Sequence, residues 1–293
     1  MQVLKLQQPS FKYKNKKELE DSILHDGNIF AIADGITRDP VGFSDFTNLT
    51  EEQIVNSYPK PSPAKIASDT FTKNFVESLK QRTELNLDNL ESSFILGNTK
   101  IKELNLEKNP NPDFLANDYW ACVATGVVIN ENNLMWGAIG DCGVRIYDEN
   151  WNIKFNTPNS VEVYEKYFYS DANPYRTNYD WNKPESRILN RKEFRNNPKQ
   201  VQNDECVSYG SLTGEEIALN FLYFGNVYIS QKDTIVIYSD GFLKTMDEPR
   251  FIDVLKNASK NNSLEEFEKY DFELASKDYS NYGHERSIMI VNL

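Results

Sequence analysis

Short apolar runs that end on an acid recur along the chain. Residues 28–35 (NIFAIADG), 134–141 (LMWGAIGD) and 234–241 (TIVIYSDG) share this form. Each reads as a core strand that carries Asp34, Asp141 or Asp240 to its own end. A period of two also runs through 120–129 (WACVATGVVI), 144–148 (VRIYD) and 151–155 (WNIKF), with turn residues at 130–133 and 149–150. That pattern predicts an antiparallel meander. Helical spacing takes over between the first two acid-tipped strands. Ser62-Pro63 offers an N-cap followed by proline at the first helical position, and Ala67, Phe71, Phe75 and Leu79 then recur every fourth residue, so a helix with one buried face is expected. A second helix is expected from 87 to about 106, stopping before Asn109-Pro110. Thr213 is expected to cap a short helix through Leu222, and helices near 248–260 and 263–277 precede a last strand, SIMIVNL. The stretch from 36 to 61 reads as a polar loop, and 156–212 lacks clean periodicity, as a long functional or mobile insertion would. Paired helices followed by strands, with no repeat of 20 to 50 residues, give an α+β layered fold rather than a βαβ rhythm.

Composition narrows the class. The 293 residues can bury a sizeable core, no break divides them, and 16 Tyr and 17 Phe argue for a folded interior, so one domain over 1–293 is expected. A net charge of -12 argues against nucleic acid as partner, because phosphate-backbone affinity rests on Lys and Arg. Three cysteines without CxxC spacing read as free thiols in a reducing compartment. The first residues lack an apolar core like that of a signal peptide, and no apolar run is long enough to span a bilayer. The expectation is therefore cytoplasmic, with no membrane partner. Two basic clusters stand out against the acidic background: Lys12, Lys14, Lys16 and Lys17 near the start, and Arg187, Arg191, Lys192, Arg195 and Lys199 inside the long insertion.

An Asp at the tip of a core strand is costly unless a cation neutralises it. A sheet gathers its strand ends, so Asp34, Asp141, Asp240 and the Glu20-Asp21 pair are expected to converge on one rim. Like charges that close do not all stay ionised without a counter-charge. Oxygen donors with scarcely any His favour a hard ion, Mg²⁺ or Mn²⁺, over zinc. Two such ions sharing Asp34 would activate a bridging water and clamp an oxyanion, which is the two-metal route to phosphoester hydrolysis.

The ordered set LEDS, IFAIADG, ATG, IGDCGVR, YSDG and ERSIMIV, from about residue 20 to 291, resembles the metal-dependent serine/threonine protein phosphatases of the type 2C family. The resemblance implies a four-layer αββα sandwich, two antiparallel β-sheets flanked by helix pairs. It also implies hydrolysis of phosphoserine and phosphothreonine in proteins, with a phosphorylated protein as substrate and a cognate Ser/Thr kinase as counterpart. By the same resemblance Asp34 would bridge two metals, the Gly35 carbonyl and Asp240 would ligate them, Glu20 would reach one through water, and Asp21 would hold metal-bound water. Lys16 would hold the substrate phosphate, Asp141 would serve a third metal, and 156–206 would form a flap beside the site.

Four positions depart from the family pattern. The last motif reads His284-Glu285-Arg286-Ser287, which puts His284 at the metal-ligand position with Glu285 beside it as an alternative ligand. Lys244 stands where an acid would serve the third ion, Ile36 replaces a His, and DGITRDP lacks paired glycines. A non-catalytic reading, the same fold serving as a regulatory or phosphoprotein-binding module, follows from those changes. Ile32 argues against an aspartyl-phosphate route, since it sits where the nucleophile would be, and the lack of any Cys followed by five residues and an Arg argues against a cysteine route.

Overall fold

The structure is a computed structural model and describes residues 1–13, 17–37, 39–40, 43–115 and 119–293. Two five-stranded antiparallel sheets are stacked against each other. One runs in the order β1 (Gln2–Gln8), β12 (Arg286–Asn292), β11 (Thr234–Tyr238), β6 (Gly143–Tyr147) and β7 (Ile153–Asn156). The other runs β10 (Tyr223–Tyr228), β5 (Asn133–Ile139), β4 (Cys122–Asn130), β3 (Ile29–Gly35) and β2 (Ser22–Asp26). A small hairpin, β8 (Val201–Gln202) with β9 (Glu205–Cys206), stands apart.

The period of two decides which residues meet. Along β3, Phe30 and Ile32 point between the sheets, where they pack with Val127, Ile146, Ile237 and Met289. Ala31 and Ala33 point the other way, onto α2 (Pro63–Lys80) and α3 (Leu87–Lys108). The outer face of the first sheet carries Val236, Tyr238, Ile288 and Ile290 against Phe251 and Leu255 of α7 (Phe251–Asn261) and Phe267 of α8 (Glu265–Lys277). The four layers are helices, sheet, sheet, helices, as the sequence led one to expect.

Helix α2 begins where its cap predicts, Ser62 Oγ accepting from the Lys65 N–H at 3.1 Å. Its Phe71 and Phe75 interlock with Phe94 of α3, with ring centroids 5.0 to 5.7 Å apart. Short helices complete the fold: α1 (Glu51–Asn56), α6 (Leu243–Met246) and α9 (Tyr279–Tyr282). Helix α1 lies in the stretch expected to be loop, and a Thr50–Gln53 capping box starts it. The helix expected from Thr213 is a 3₁₀ turn, Glu216–Phe221, leading straight into β10.

The largest departure is in 156–212. It contains α4 (Ser160–Phe168) and α5 (Pro184–Phe194), joined over a cluster of Tyr164, Phe168 and Phe194 with Tyr175, Tyr179 and Tyr209 around it. This small core is built from rings distant in sequence and separated by polar residues, so no window of the sequence shows its period.

Candidate active site

Antiparallel register brings the acids to one edge of the stacked sheets. Ser22 at the start of β2 lies opposite Ala33 near the end of β3. In the other sheet, Tyr238 at the end of β11 pairs with Ile288 near the start of β12 and with Gly143 at the start of β6. Asp21, Asp34, Asp240 and Glu285 therefore sit at strand ends on the same side, with Asp141 in the turn between β5 and β6. Asp34, Asp141 and Asp240 are half-buried at the front, while Glu20 and Asp21 are buried behind them.

The seam between the sheets runs through Asp21. Its Oδ2 accepts from Ser239 Oγ at 2.7 Å and its backbone N–H donates to Glu285 Oε1 at 2.5 Å. Ser239 Oγ also accepts from the Ser287 N–H at 2.8 Å. The residues between strand and site are chosen by close approach. A Cβ on Gly241 would lie 2.2 Å from the Glu285 carbonyl oxygen, and one on Gly35 would lie 2.4 Å from that of Ala64 at the start of α2. Glycine after each Asp lets the chain press against its neighbour there.

Electrostatics follow from this crowding. Burial raises the Asp34 carboxyl well above the usual carboxylate range, and the charges of Asp21, Asp240 and Asp141 add to it, with a hydrogen bond to Asp240. Asp141 is raised by burial and then by Asp240. Asp21 is pushed up to about 6 by burial, with the nearby Ser287 and Ser239 hydroxyls holding it back. Burial and then the Asp21 charge push Glu285 up to about 8. Without a counter-ion, protons do the neutralising.

A hard divalent cation fits the residues present. Asp21 Oδ1 is buried and has no hydrogen-bond donor among the described residues, and the convergent donors are carboxylate oxygens. The Cys142 thiol beside them is raised by burial and by Asp34, Asp141, Asp21 and Asp240, so it stays neutral. Among the described residues no three His, Cys, Asp or Glu side chains are grouped so that they could hold a metal ion by themselves. Magnesium-like ions are commonly held by one or two carboxylates with water filling the remaining positions, and need no such group.

The other candidate residues fall into place around this group. Glu20 is turned to Lys17, at 2.5 Å, and to the Thr37 hydroxyl. His284 is exposed, its Nε2 against the Ser280 carbonyl at 2.8 Å. It lines a cleft of about 490 Å³ with Asp141, Asp240, Glu165 and Lys244. Strand parity sets the difference between the two neighbours: Ser287, Met289 and Val291 lie on the face that meets the other sheet, and Glu285 shares their parity. Arg286 faces α8 instead, in a two-pronged pair with Asp271 at 2.7 and 2.6 Å, and also donates to the His284 carbonyl at 2.6 Å. Lys16 lies outside the described residues. Ser239 and Glu165 were not singled out from the sequence, and Lys17 stood out there only as a member of the first basic cluster.

The basic island is largely spoken for. Arg187 and Arg191 both pair with Asp39, at 2.8 and 3.0 Å, and Arg191 Nε donates to the Leu115 carbonyl at 2.6 Å. These arginines fasten α5 to the loops after β3 and α3 instead of forming a free surface patch.

No family model matches this sequence, and no curated protein matches it. Solved structures do resemble it along its length. The Mycobacterium tuberculosis serine/threonine phosphatase PstP/Ppp is 14% identical with a TM-score of 0.59, the likeness covering 99% of this chain and 97% of that one. The catalytic domain of PstP in complex with 2 manganese ions is 13% identical with a TM-score of 0.57, covering 98% and 95%. The S. agalactiae serine/threonine phosphatase is 12% identical with a TM-score of 0.52, covering 98% and 97%. No helix among the described residues is long and apolar enough to cross a membrane. With its four layers and its two antiparallel sheets, the chain has the fold of the type 2C serine/threonine protein phosphatases.

Proposed function

We propose that this protein is a cytoplasmic, Mn²⁺- or Mg²⁺-dependent phosphatase acting on phosphoserine and phosphothreonine in proteins that a cognate Ser/Thr kinase phosphorylates. The observation that carries the reading is the convergence of Asp21, Asp34, Asp141, Asp240 and Glu285 at one rim, with the Asp21 Oδ1 left without a donor. Asp34 and Asp240 would hold two ions, with Asp34 shared, and the Gly35 carbonyl beside it. Bound there, the ions supply charge neutralisation and an acidified water for direct attack on phosphorus.

The chain's own groups do the positioning. Ser239 holds Asp21 by its Oδ2, leaving Oδ1 free to accept a proton from water. Glu285, on the inter-sheet face, would complete the acid set in place of His284. Lys17 pairs with Glu20 behind the front row. Val161 and Glu165 of α4 line the cleft, which supports 156–206 as a flap within a single domain.

The test is hydrolysis of p-nitrophenyl phosphate and of a phosphothreonine peptide by protein stripped with EDTA and resupplied with Mn²⁺ or Mg²⁺. Turnover restored by metal is expected, and loss of at least about a hundredfold in Asp240→Asn with an unchanged circular dichroism spectrum. Full activity in that variant would remove the site assignment. A binding module is the second reading, favoured by the outward turn of His284; it predicts no turnover with either ion from folded protein.

A further inference from the structure

Beside the acid rim lies a pocket of about 220 Å³ whose charged lining is Arg187, Arg191 and Arg195 together with one acid, Asp39. Ile36, Thr37, Tyr164 and Tyr209 line both this pocket and the part of the cleft that holds Asp34 and Asp141, so the two adjoin. Asp39 answers Arg187 and Arg191. Among the described residues Arg195 has no such answer. It is 6% exposed, its Nη2 donates to the Phe114 carbonyl, and its guanidinium lies 4.4 Å from the centre of the Tyr119 ring. Its Nε and Nη1 have no hydrogen-bond acceptor among the described residues. Glu215 acts on it only from a distance, because the Glu215 carboxylate is held by Thr213 at 2.8 Å and Asn196 at 3.3 Å.

A buried guanidinium whose Nε and Nη1 have no acceptor among the described residues is costly, and its planar fork matches an oxyanion. In a chain of net charge -12, which repels anions at long range, such a pocket is a local reversal of sign. We propose that it is a second anion subsite, taking a phosphate or carboxylate carried by the substrate protein near the phosphate that is hydrolysed. The substrate half of this inference rests on the phosphatase reading; the anion half rests on the pocket alone.

The two halves are tested separately. Thermal unfolding of the full chain in EDTA is followed in inorganic phosphate and in chloride at matched ionic strength. Phosphate is expected to raise the midpoint saturably, and Arg195→Met to weaken that binding at least about tenfold. Removal of a buried charge that pairs with no acid among the described residues should not unfold the protein. Arg191→Lys, which keeps the charge beside Asp39 but loses the fork, is the second variant, and about threefold weaker binding is expected. An equal phosphate response in wild type and both variants overturns the subsite.

With metal restored, a doubly phosphorylated peptide is expected to show a KM at least about tenfold below that of a singly phosphorylated peptide with a neutral flank, and Arg195→Met is expected to close that gap. Equal KM values in the wild type overturn the substrate assignment and leave free phosphate as the ligand. Phosphate binding in EDTA without turnover of either peptide supports the pocket and overturns the phosphatase reading.

Discussion

Glu285 and His284 are adjacent in the chain, yet Glu285 hydrogen-bonds to Asp21 while the His284 ring is held by the Ser280 carbonyl. The sequence could name the pair but not choose between them, because one step along a strand reverses the side a residue faces, and the choice depends on where β12 starts. The consequence is measurable. Glu285→Gln is expected to weaken Mn²⁺ activation by about tenfold or more, read from the Mn²⁺ dependence of turnover, while His284→Ala is expected to stay within about threefold. Comparable losses in both would mean that the His284 ring leaves Ser280 and turns inward when the ion binds. Asp34 was more legible, since its run IFAIADG is apolar on both faces and could only be a central strand. The Lys16 expectation concerns a residue outside those described, and Lys17 now claims attention through its pair with Glu20.

At the scale of elements, the helix starting at Ser62-Pro63 was readable from local chemistry alone: cap, proline and a four-residue apolar period all agree. Phe75→Ala in that helix is expected to cost about 3 to 5 kcal/mol by chemical denaturation, since the ring is fully buried between Phe71 and Phe94. Strand β1 was not readable. Its residues QVLKLQQ are mostly half-exposed, and it exists because its backbone pairs with β12 from Gln2 opposite Asn292 to Gln8 opposite Arg286. The helices of 156–212 escaped for a related reason: Tyr164 and Phe168 of α4 share a helix face, but their partner Phe194 lies 26 residues further on and only folding joins them. The turn after β11 offers a sharper test. Gly241→Ala places a methyl group against the Glu285 carbonyl; a loss of about 1 to 3 kcal/mol is expected, together with weaker ion binding, because the displaced segment carries Glu285.

For the whole molecule, the raised acids make stability depend on pH. Asp21 moves from 3.8 to about 6 and Glu285 from 4.5 to about 8 on folding. Between about pH 4 and pH 8 these two groups therefore bind more protons in the folded chain than in the unfolded one, and the stability they contribute falls as pH rises. In EDTA the melting temperature is expected to drop across this window. Added Mn²⁺ replaces the protons, so its stabilising effect should be larger at pH 8 than at pH 5.5; differential scanning calorimetry at the two values checks this. A melting temperature independent of pH in EDTA would show that the acids do not crowd as described. The hydrogen bonds from Ser239 and Asp21 cross from one sheet to the other, and this has a mechanical meaning. The acids belong to both halves of the sandwich, so their spacing acts as a vernier on how the halves are aligned. A cavity cut deep in the interleaf, at Ile237 for instance, touches none of them, yet any slip it allows between the sheets would register first as a changed grip on the ion.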